Sequence, residues 1–300
     1  MTPGEILKKG EGYLTECGIP DASIDAWYLL EYLLKQAVGA HVNRAWFLLN
    51  RQEELPEKVW QEYEELIKKR GTHMPLQHIT GEQEFMGIPF IVNDKVLIPR
   101  QDTEILVEEA MKKAKAGMRV LDLCTGSGCI IISLLKLMPG LTGMASDLSA
   151  EALKIAEENA RRQGVTIDFR QGDLFEPVEG SFDLIVSNPP YIPTADIQGL
   201  MEEVRIYDPM MALDGREDGL YFYRRILQEG LKYLKPGGWL MVEIGSDQGK
   251  DVSELMERAG LSEISIVKDL AGLERVVKGR KMEIEKTVTG YQEEERCLIN

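Results

Sequence analysis

Long apolar runs, excess basic charge and metal-ligand cysteines are all scarce in this chain, and each shortage closes off a class of function. The longest apolar run, Cys129 to Leu135, contains a serine and stops at Lys136, far short of the roughly 20 residues that span a bilayer. The N-terminal MTPGEILKKGEGYL has no apolar signal core, so the expectation is a cytoplasmic protein with no membrane attachment. The cysteines, at positions 17, 124, 129 and 297, lack metal-ligand spacing. No metal is expected, and Cys124 and Cys129 read as small core residues of a reduced compartment. His41, His73 and His78 all fall in the N-terminal part and read as surface or packing residues rather than general bases. Lys and Arg number 35 against 50 Asp and Glu, a net charge of −15. That balance argues against stable nucleic-acid binding, because phosphate affinity comes from clustered basic side chains. It leaves a small-molecule substrate, a protein partner with a basic surface, or acidity that serves only solubility.

What is present is a chain in two parts. A hydrophobic fraction of 44% with 28% charged residues is that of a folded globular protein. Up to about residue 80 the pattern is helical. In DASIDAWYLLEYLLKQAVG the apolar Ile24, Trp27, Tyr28, Leu30 and Leu33 recur at spacings of two to four, as on a core-facing helix. PEKVWQEYEELIKKRG has Pro56 at its start and Gly71 at its end, which suits a second helix. Residues 1–80 are therefore read as a small helical bundle. Residues 81–100, with Gly87, Pro89 and Asn93-Asp94 among Phe85, Ile88, Phe90 and Val92, are read as a β-hairpin linker. A helix follows from about Asp102 to Ala116, acidic at its start and basic near its end, as the helix dipole favours.

From residue 118 strands and helices alternate. MRVLDLC, LTGMASDL, TIDFRQGD, FDLIVSN and WLMVEIG read as strands, and EISIVKD with LERVVKG as a closing hairpin. The helix beginning at Leu220 is expected to run to Pro236. This alternation predicts an α/β, Rossmann-like domain over 101–280, mostly parallel with an antiparallel hairpin at its C-terminal end. Residues 281–300 form a charged extension with no assigned role.

The first strand of that domain runs into Asp122-Leu123-Cys124-Thr125-Gly126-Ser127-Gly128, and the second ends at Asp147. A glycine turn lets the backbone approach a ligand, and an acidic strand end can accept ribose hydroxyls. A dinucleotide fingerprint needs a third small residue where Ile131 stands, so that fingerprint fails. A ligand without a pyrophosphate, such as S-adenosylmethionine, fits better. Asp173 and Leu174, after the third strand, fall where its adenine would lie, although Asp173 also suits a turn cap.

The fourth strand ends in Asn188-Pro189-Pro190-Tyr191. Two prolines fix φ and remove two donors. The Asn188 side-chain oxygen and the Pro189 carbonyl remain as acceptors, which is what a planar NH2 group needs, and Tyr191 offers a face for stacking. The bland alternative is a proline turn that merely ends a strand.

Asn-Pro-Pro-Tyr after a strand, with a DLxTGSG-type turn upstream, resembles methyltransferases that modify planar NH2 groups. Two branches share it: DNA N6-adenine methyltransferases, which flip a base into such a pocket, and protein glutamine N5-methyltransferases. The segment PLQHITGEQEFMGIPFIVNDKVLIPRQDTEILVE and the closing DLAGLERVVKGR are similar to release factor glutamine methyltransferases, the PrmC/HemK family, and the likeness covers about residues 1–280. The resemblance implies methyl transfer from S-adenosylmethionine to the glutamine of a Gly-Gly-Gln loop in peptide chain release factors 1 and 2. It further implies S-adenosylhomocysteine as product, a monomeric enzyme, and an N-terminal bundle that helps hold the substrate protein. By this resemblance Cys124, Thr125, Gly126, Ser127, Gly128, Asp147, Asp173, Leu174 and Asn188 hold the cofactor. Asn188, Pro189, Pro190 and Tyr191 hold the glutamine, and Phe85 and Arg100 lie at the mouth of the site. The chain departs from the family wording at Cys124, where glycine is commoner, at Gln101-Asp102, where Pro-Glu is usual, and at Leu174, where some relatives carry an aromatic residue. An adenine of a nucleic acid remains the alternative substrate.

Overall fold

Five helices open the chain in the computed structural model, which describes residues 1–283. They are Pro3–Glu16 (α1), Ala22–Ala37 (α2), Arg44–Asn50 (α3), Glu57–Gly71 (α4) and Leu76–Thr80 (α5). The start of α1 is dictated locally. The Thr2 hydroxyl accepts from the Glu5 amide, the Glu5 carboxylate accepts from the Thr2 amide, and Pro3 occupies a position that needs no donor, which together make a capping box. Ile6, Leu14, Ala26, Leu29, Leu30 and Leu34 fill the bundle core. Trp27 and Leu33 are buried as their spacing suggests, but Ile24 and Tyr28 are half exposed, at 49% and 50%. The helix instead turns Ala22, Asp25, Ala26 and Leu29 inward, because Asp25 has a buried partner: Arg70 Nε lies 2.6 Å from its carboxylate.

Glu82–Phe85 (β1) and Ile88–Ile91 (β2) pair antiparallel. The turn between them is Met86-Gly87, with φ of 53° and 70°, the left-handed pair that a two-residue hairpin requires. The rest comprises Gln101–Lys113 (α6), Arg119–Leu123 (β3), Cys129–Leu137 (α7), Thr142–Asp147 (β4), Ala150–Gln163 (α8), Asp168–Gln171 (β5) and Phe182–Ser187 (β6). After a 3-10 turn come Glu202–Tyr207 (α9), Met210–Leu213 (α10), Tyr221–Gly230 (α11), Leu234–Glu243 (β7), Gly249–Arg258 (α12), Leu261–Lys268 (β8) and Glu274–Lys281 (β9).

Seven of these strands form one sheet in the order β5-β4-β3-β6-β7-β9-β8. The first five are parallel, and β9 runs antiparallel to both β7 and β8. This is the expected Rossmann-like sheet with an antiparallel C-terminal hairpin. One helix end differs from expectation. Helix α11 stops at Gly230 and β7 already begins at Leu234, running through Pro236-Gly237-Gly238. The ladder between β6 and β7 slips there, and Gly238 permits it: a Cβ would meet the Asp183 and Lys235 carbonyls at 2.9 Å. Helices α9 and α10 lie in stretches whose sequence carries no clear period; α12 does carry one, with Val252, Leu255, Met256 and Ala259 on one face, and is an element the expectation above omits. The extension read at 281–300 falls, from residue 284, outside the described residues. Among the described residues no helix is long and apolar enough to cross a membrane.

Strand order steps outward in opposite directions from β3 and β6. In such sheets the crevice at the carboxyl ends of the strands flanking this switch point is where ligands bind. Leu123 pairs with Ser187 across it, so the glycine turn and Asn188 emerge side by side. The bundle reaches this edge through α9. Arg70 Nη2 lies 3.0 Å from Glu203 Oε2, and the Tyr207 hydroxyl donates to the Thr72 carbonyl at 2.9 Å.

Candidate active site

The crevice at the switch point is a cleft of about 410 Å³, within the range of small-molecule sites. Its lining includes Cys124, Thr125, Gly126 and Ser127 from the glycine turn, Asp147 from β4, Asp173 and Leu174 after β5, and Asn188 and Pro190 after β6. These residues come from positions 124 to 190, and the parallel register alone brings them to one edge.

Asp147 is held rigidly. Its Oδ2 accepts from the Gly126 amide and its Oδ1 from the Ser149 amide, both at 2.8 Å. Burial raises its pKa, while the Ser149, Gly126 and Leu148 amides pull it back. Each oxygen keeps a free lone pair for a ligand hydroxyl. Gly126 has φ of 54°, and a Cβ added there would touch nothing within 4 Å, so the backbone borders open space. Gly128, at φ 80°, is packed instead: a Cβ would strike Ile132 at 2.8 Å and Ala156 at 3.1 Å. A nucleoside cofactor fits this cradle, with Gly126 open beneath it and a fixed carboxylate at the next strand end. Beneath the turn, Asp122 is fully buried, accepts the Thr125 hydroxyl at 2.6 Å, and is pushed by burial up to about 7.

Two of the three departures from the family wording sit on strained backbone. Cys124 has φ of 57° and Leu174 of 52°, a region that costs an L-residue roughly 1–2 kcal/mol. That strain explains why glycine suits position 124. Cys124 is also not the core residue expected of it, because it borders the cleft, whereas Cys129 is buried. Asp173 lines the cleft with its carboxylate gripped by Arg225 Nη1 at 2.8 and 3.0 Å.

On the opposite wall, the Asn188 side chain donates from Nδ2 to Thr103 Oγ1 at 3.3 Å. That contact engages one of its two N–H hydrogens, and its oxygen has no hydrogen-bond partner among the described residues. Pro190 lines the cleft and Pro189 is buried. Tyr191 corrects the expectation of a stacking face: it is absent from the lining of the cleft and faces a neighbouring cavity of about 360 Å³. Its phenol reaches Glu243 Oε1 at 3.4 Å and its carbonyl accepts from Gln248 Nε2 at 2.9 Å. Gly215 and Gly219 press against its backbone, where a Cβ on either would lie under 3 Å from Tyr191 atoms. Its contacts therefore hold the loop, and its ring does not line the cleft.

Phe85 also needs correction. It is 1% exposed and packs edge-on against Phe90, 6.1 Å between centroids, in the core with Ile88, Leu106 and Val107. The last position of β1 faces inward, so Phe85 cannot lie at the mouth. Arg100 does line the cleft. Its Nη2 lies 2.8 Å from the Asp208 carboxylate, whose side chain is 1% exposed; burial raises Asp208 to about 6, and Arg100 pulls it back.

The cleft also includes Thr103, Met210, Met211, Arg216 and Phe222, none of them foreseen. Met210 and Met211 lie in a stretch without a readable period, and Phe222 lies in the first turn of the helix expected from Leu220, where the period does not say which residue meets the cleft. Thr103 carried a faint signal, since a threonine in the first turn of an otherwise apolar and acidic helix has its hydroxyl free to turn toward the sheet.

Family models match the chain in two places. A PrmC N-terminal domain matches residues 5–81, and a methyltransferase small domain matches residues 100–205. A release factor glutamine methyltransferase of Geobacter sulfurreducens is 43% identical over 277 residues, covering 92% of this chain and 95% of that protein. One from Clostridium acetobutylicum is 42% identical over 262 residues, covering 84% and 89%. Among solved structures, a methyltransferase from Pyrococcus furiosus superposes with a TM-score of 0.51 at 19% identity, covering 66% of this chain and 91% of that one; that likeness speaks for the fold.

Proposed function

The chain belongs to the release factor glutamine methyltransferase family, and on that premise we propose that its cleft methylates a glutamine side-chain amide of peptide chain release factors at the Asn188 wall. It is an S-adenosylmethionine-dependent enzyme. The glutamine of the Gly-Gly-Gln loop of release factors 1 and 2 is the proposed target, and a monomer acting in the cytoplasm the proposed form.

The observation that carries this reading is the commitment of Asn188 Nδ2 to Thr103. With Nδ2 on the Thr103 hydroxyl, the amide is turned so that its oxygen is the group offered to an incoming N–H. An amide nitrogen is a weak nucleophile because its lone pair is delocalised. Accepting its hydrogens enriches the nitrogen and aligns it, and orientation of this kind can remove about 7–11 kcal/mol from a barrier. Pro189 and Pro190 keep the acceptor from drifting, since their φ is fixed. Asp147 and the open backbone at Gly126 would hold the nucleoside of the cofactor, and the cofactor supplies a methyl group on a positively charged sulfur. With the cofactor bound, its methyl carbon would pass from sulfur, which keeps the electrons of the broken bond, to the substrate nitrogen held at Asn188, and the extra proton would leave that nitrogen for water. No strong base is required, because the nitrogen becomes acidic only after the methyl is attached.

Mass spectrometry of the Gly-Gly-Gln peptide tests this directly. A release factor incubated with the protein and S-adenosylmethionine should gain one methyl group on the glutamine. Label appearing on adenine of DNA, with none on the release factor, would replace the reading with the nucleic-acid alternative.

A further inference from the structure

Glu243 is a buried carboxylate at the catalytic edge that the methyl transfer itself does not use. It ends β7, is 2% exposed, and follows Val242, which pairs with Ser187. The parallel ladder thus sets Glu243 beside Asn188. One of its oxygens takes the Tyr191 phenol at 3.4 Å; the other, Oε2, is buried with no partner among the described residues. Thr103 on α6 is 2% exposed and meets Asn188 through its hydroxyl; no hydrogen bond joins it to Glu243 as the side chains stand, and Glu243 Oε2 is the acceptor left open. The Thr103 oxygen already accepts from Asn188 Nδ2, so its own hydrogen must point elsewhere, and its hydroxyl is among the groups that stabilise the charged form of Glu243.

We propose that Glu243 is a positioning residue that sets which way the Asn188 amide faces, acting as the terminal acceptor for Thr103 on one side and Tyr191 on the other. As a carboxylate, Glu243 can only accept. The Thr103 hydrogen then goes to Glu243 and the Thr103 oxygen must accept from Asn188, which leaves Asn188 Oδ1 for the substrate. When Glu243 carries a proton it can donate to Thr103. The Thr103 hydroxyl is then free to donate to Asn188, and the flipped amide with its NH2 toward the cleft gains ground. That flipped form meets the substrate amide donor to donor. The same carboxylate anchors Tyr191 and so the far end of the proline loop.

The surroundings favour a charge change in the working range. Burial raises Glu243 to about 7, the Asp102 carboxylate on α6 adds to the rise, and Thr103, Tyr191 and Arg275 on β9 oppose it. Tyr223 on α11 donates to the Glu243 backbone carbonyl, and Cys129 on α7 faces the same carboxylate; burial raises both well above their usual ranges, so neither titrates with it.

The inference rests on the proposed glutamine methylation, and the test separates the two. Glu243→Gln and Thr103→Val are assayed with wild type on a release factor from about pH 6 to 9, alongside S-adenosylmethionine affinity and thermal unfolding. Wild type should lose turnover as pH falls through about 7. Glu243→Gln should lose about ten-fold or more in kcat at pH 8, show no acid limb, and keep wild-type cofactor affinity; Thr103→Val should lose kcat to a similar extent. Glu243→Gln with wild-type kcat and an unchanged acid limb would overturn the inference. So would a loss of cofactor affinity and melting temperature that accounts for the whole defect. A wild-type enzyme silent on the release factor would instead remove the functional reading beneath it.

Discussion

On the cofactor side of the cleft the chain holds its acceptor with its own backbone, whereas on the substrate side it uses side chains from distant elements. Asp147 is fixed by two amides within a short reach of it, Gly126 and Ser149. Asn188 is fixed by Thr103 from α6, and behind it stand Glu243 from β7 and, through Tyr191, Gln248. Backbone contacts come with the fold and cannot be mutated singly. Side-chain contacts can be lost one at a time and, where a carboxyl takes part, can be switched by a proton. The first arrangement suits a ligand that is always the same, and the second lets the protein set the direction of a single amide with care.

Substitutions sharpen that contrast. Asn188→Ala should have the largest effect, lowering kcat by on the order of 10²-fold or more while leaving cofactor affinity near wild type; single-turnover assays with parallel calorimetry would read both, and equal losses in the two would dissolve the division of labour. Asp147→Ala should do the reverse, weakening cofactor binding by about 1.5–3 kcal/mol, or roughly ten- to a hundred-fold in Kd, with kcat at saturation less affected.

A third effect concerns stability. Glu243 is raised by burial to about 7 in the folded chain, above its unfolded value of about 4.3. The stability it contributes is therefore complete below about pH 4 and is lost as pH rises through 7. Glu243→Gln removes that loss, so the variant should gain on wild type by on the order of 2 kcal/mol between about pH 5 and 8. Chemical denaturation of both proteins across that range reads the difference, and a constant gap would mean that the carboxyl does not titrate there. The smallest effect is expected at Cys124→Gly. Relief of the left-handed backbone, offset by the entropy of glycine, should raise stability by up to about 1 kcal/mol. A clear loss would show that the thiol packs more usefully than its strain suggests.

The same contrast decides what the sequence discloses. Gly126 and Asp147 are legible because a strand, a turn and a strand end are local signals, and their register then follows from the parallel sheet. Asn188 is legible because two prolines after a buried strand are rare enough to ask for a reason. Thr103 carries only the faint signal of a threonine in a first turn and Glu243 none, since nothing near either residue marks a contact between Thr103 and Asn188, 85 positions apart. Tyr191 and Phe85 show a related limit. An aromatic residue beside a site is as able to turn into the core as toward the ligand, and only the packing of β1 on α6, or the pull of Glu243 on a phenol, settles which. Ile24 and Tyr28 face outward for the same kind of reason: the inward face of α2 carries the buried Asp25–Arg70 pair, whose members lie 45 residues apart in sequence.

The most direct test is a structure of the protein with S-adenosylhomocysteine and a Gly-Gly-Gln peptide. The account requires Asn188 Oδ1 within about 3 Å of the glutamine side-chain nitrogen, with Nδ2 still on Thr103. A glutamine bound in the cleft with Asn188 turned away, or with its NH2 facing the substrate nitrogen, would contradict it.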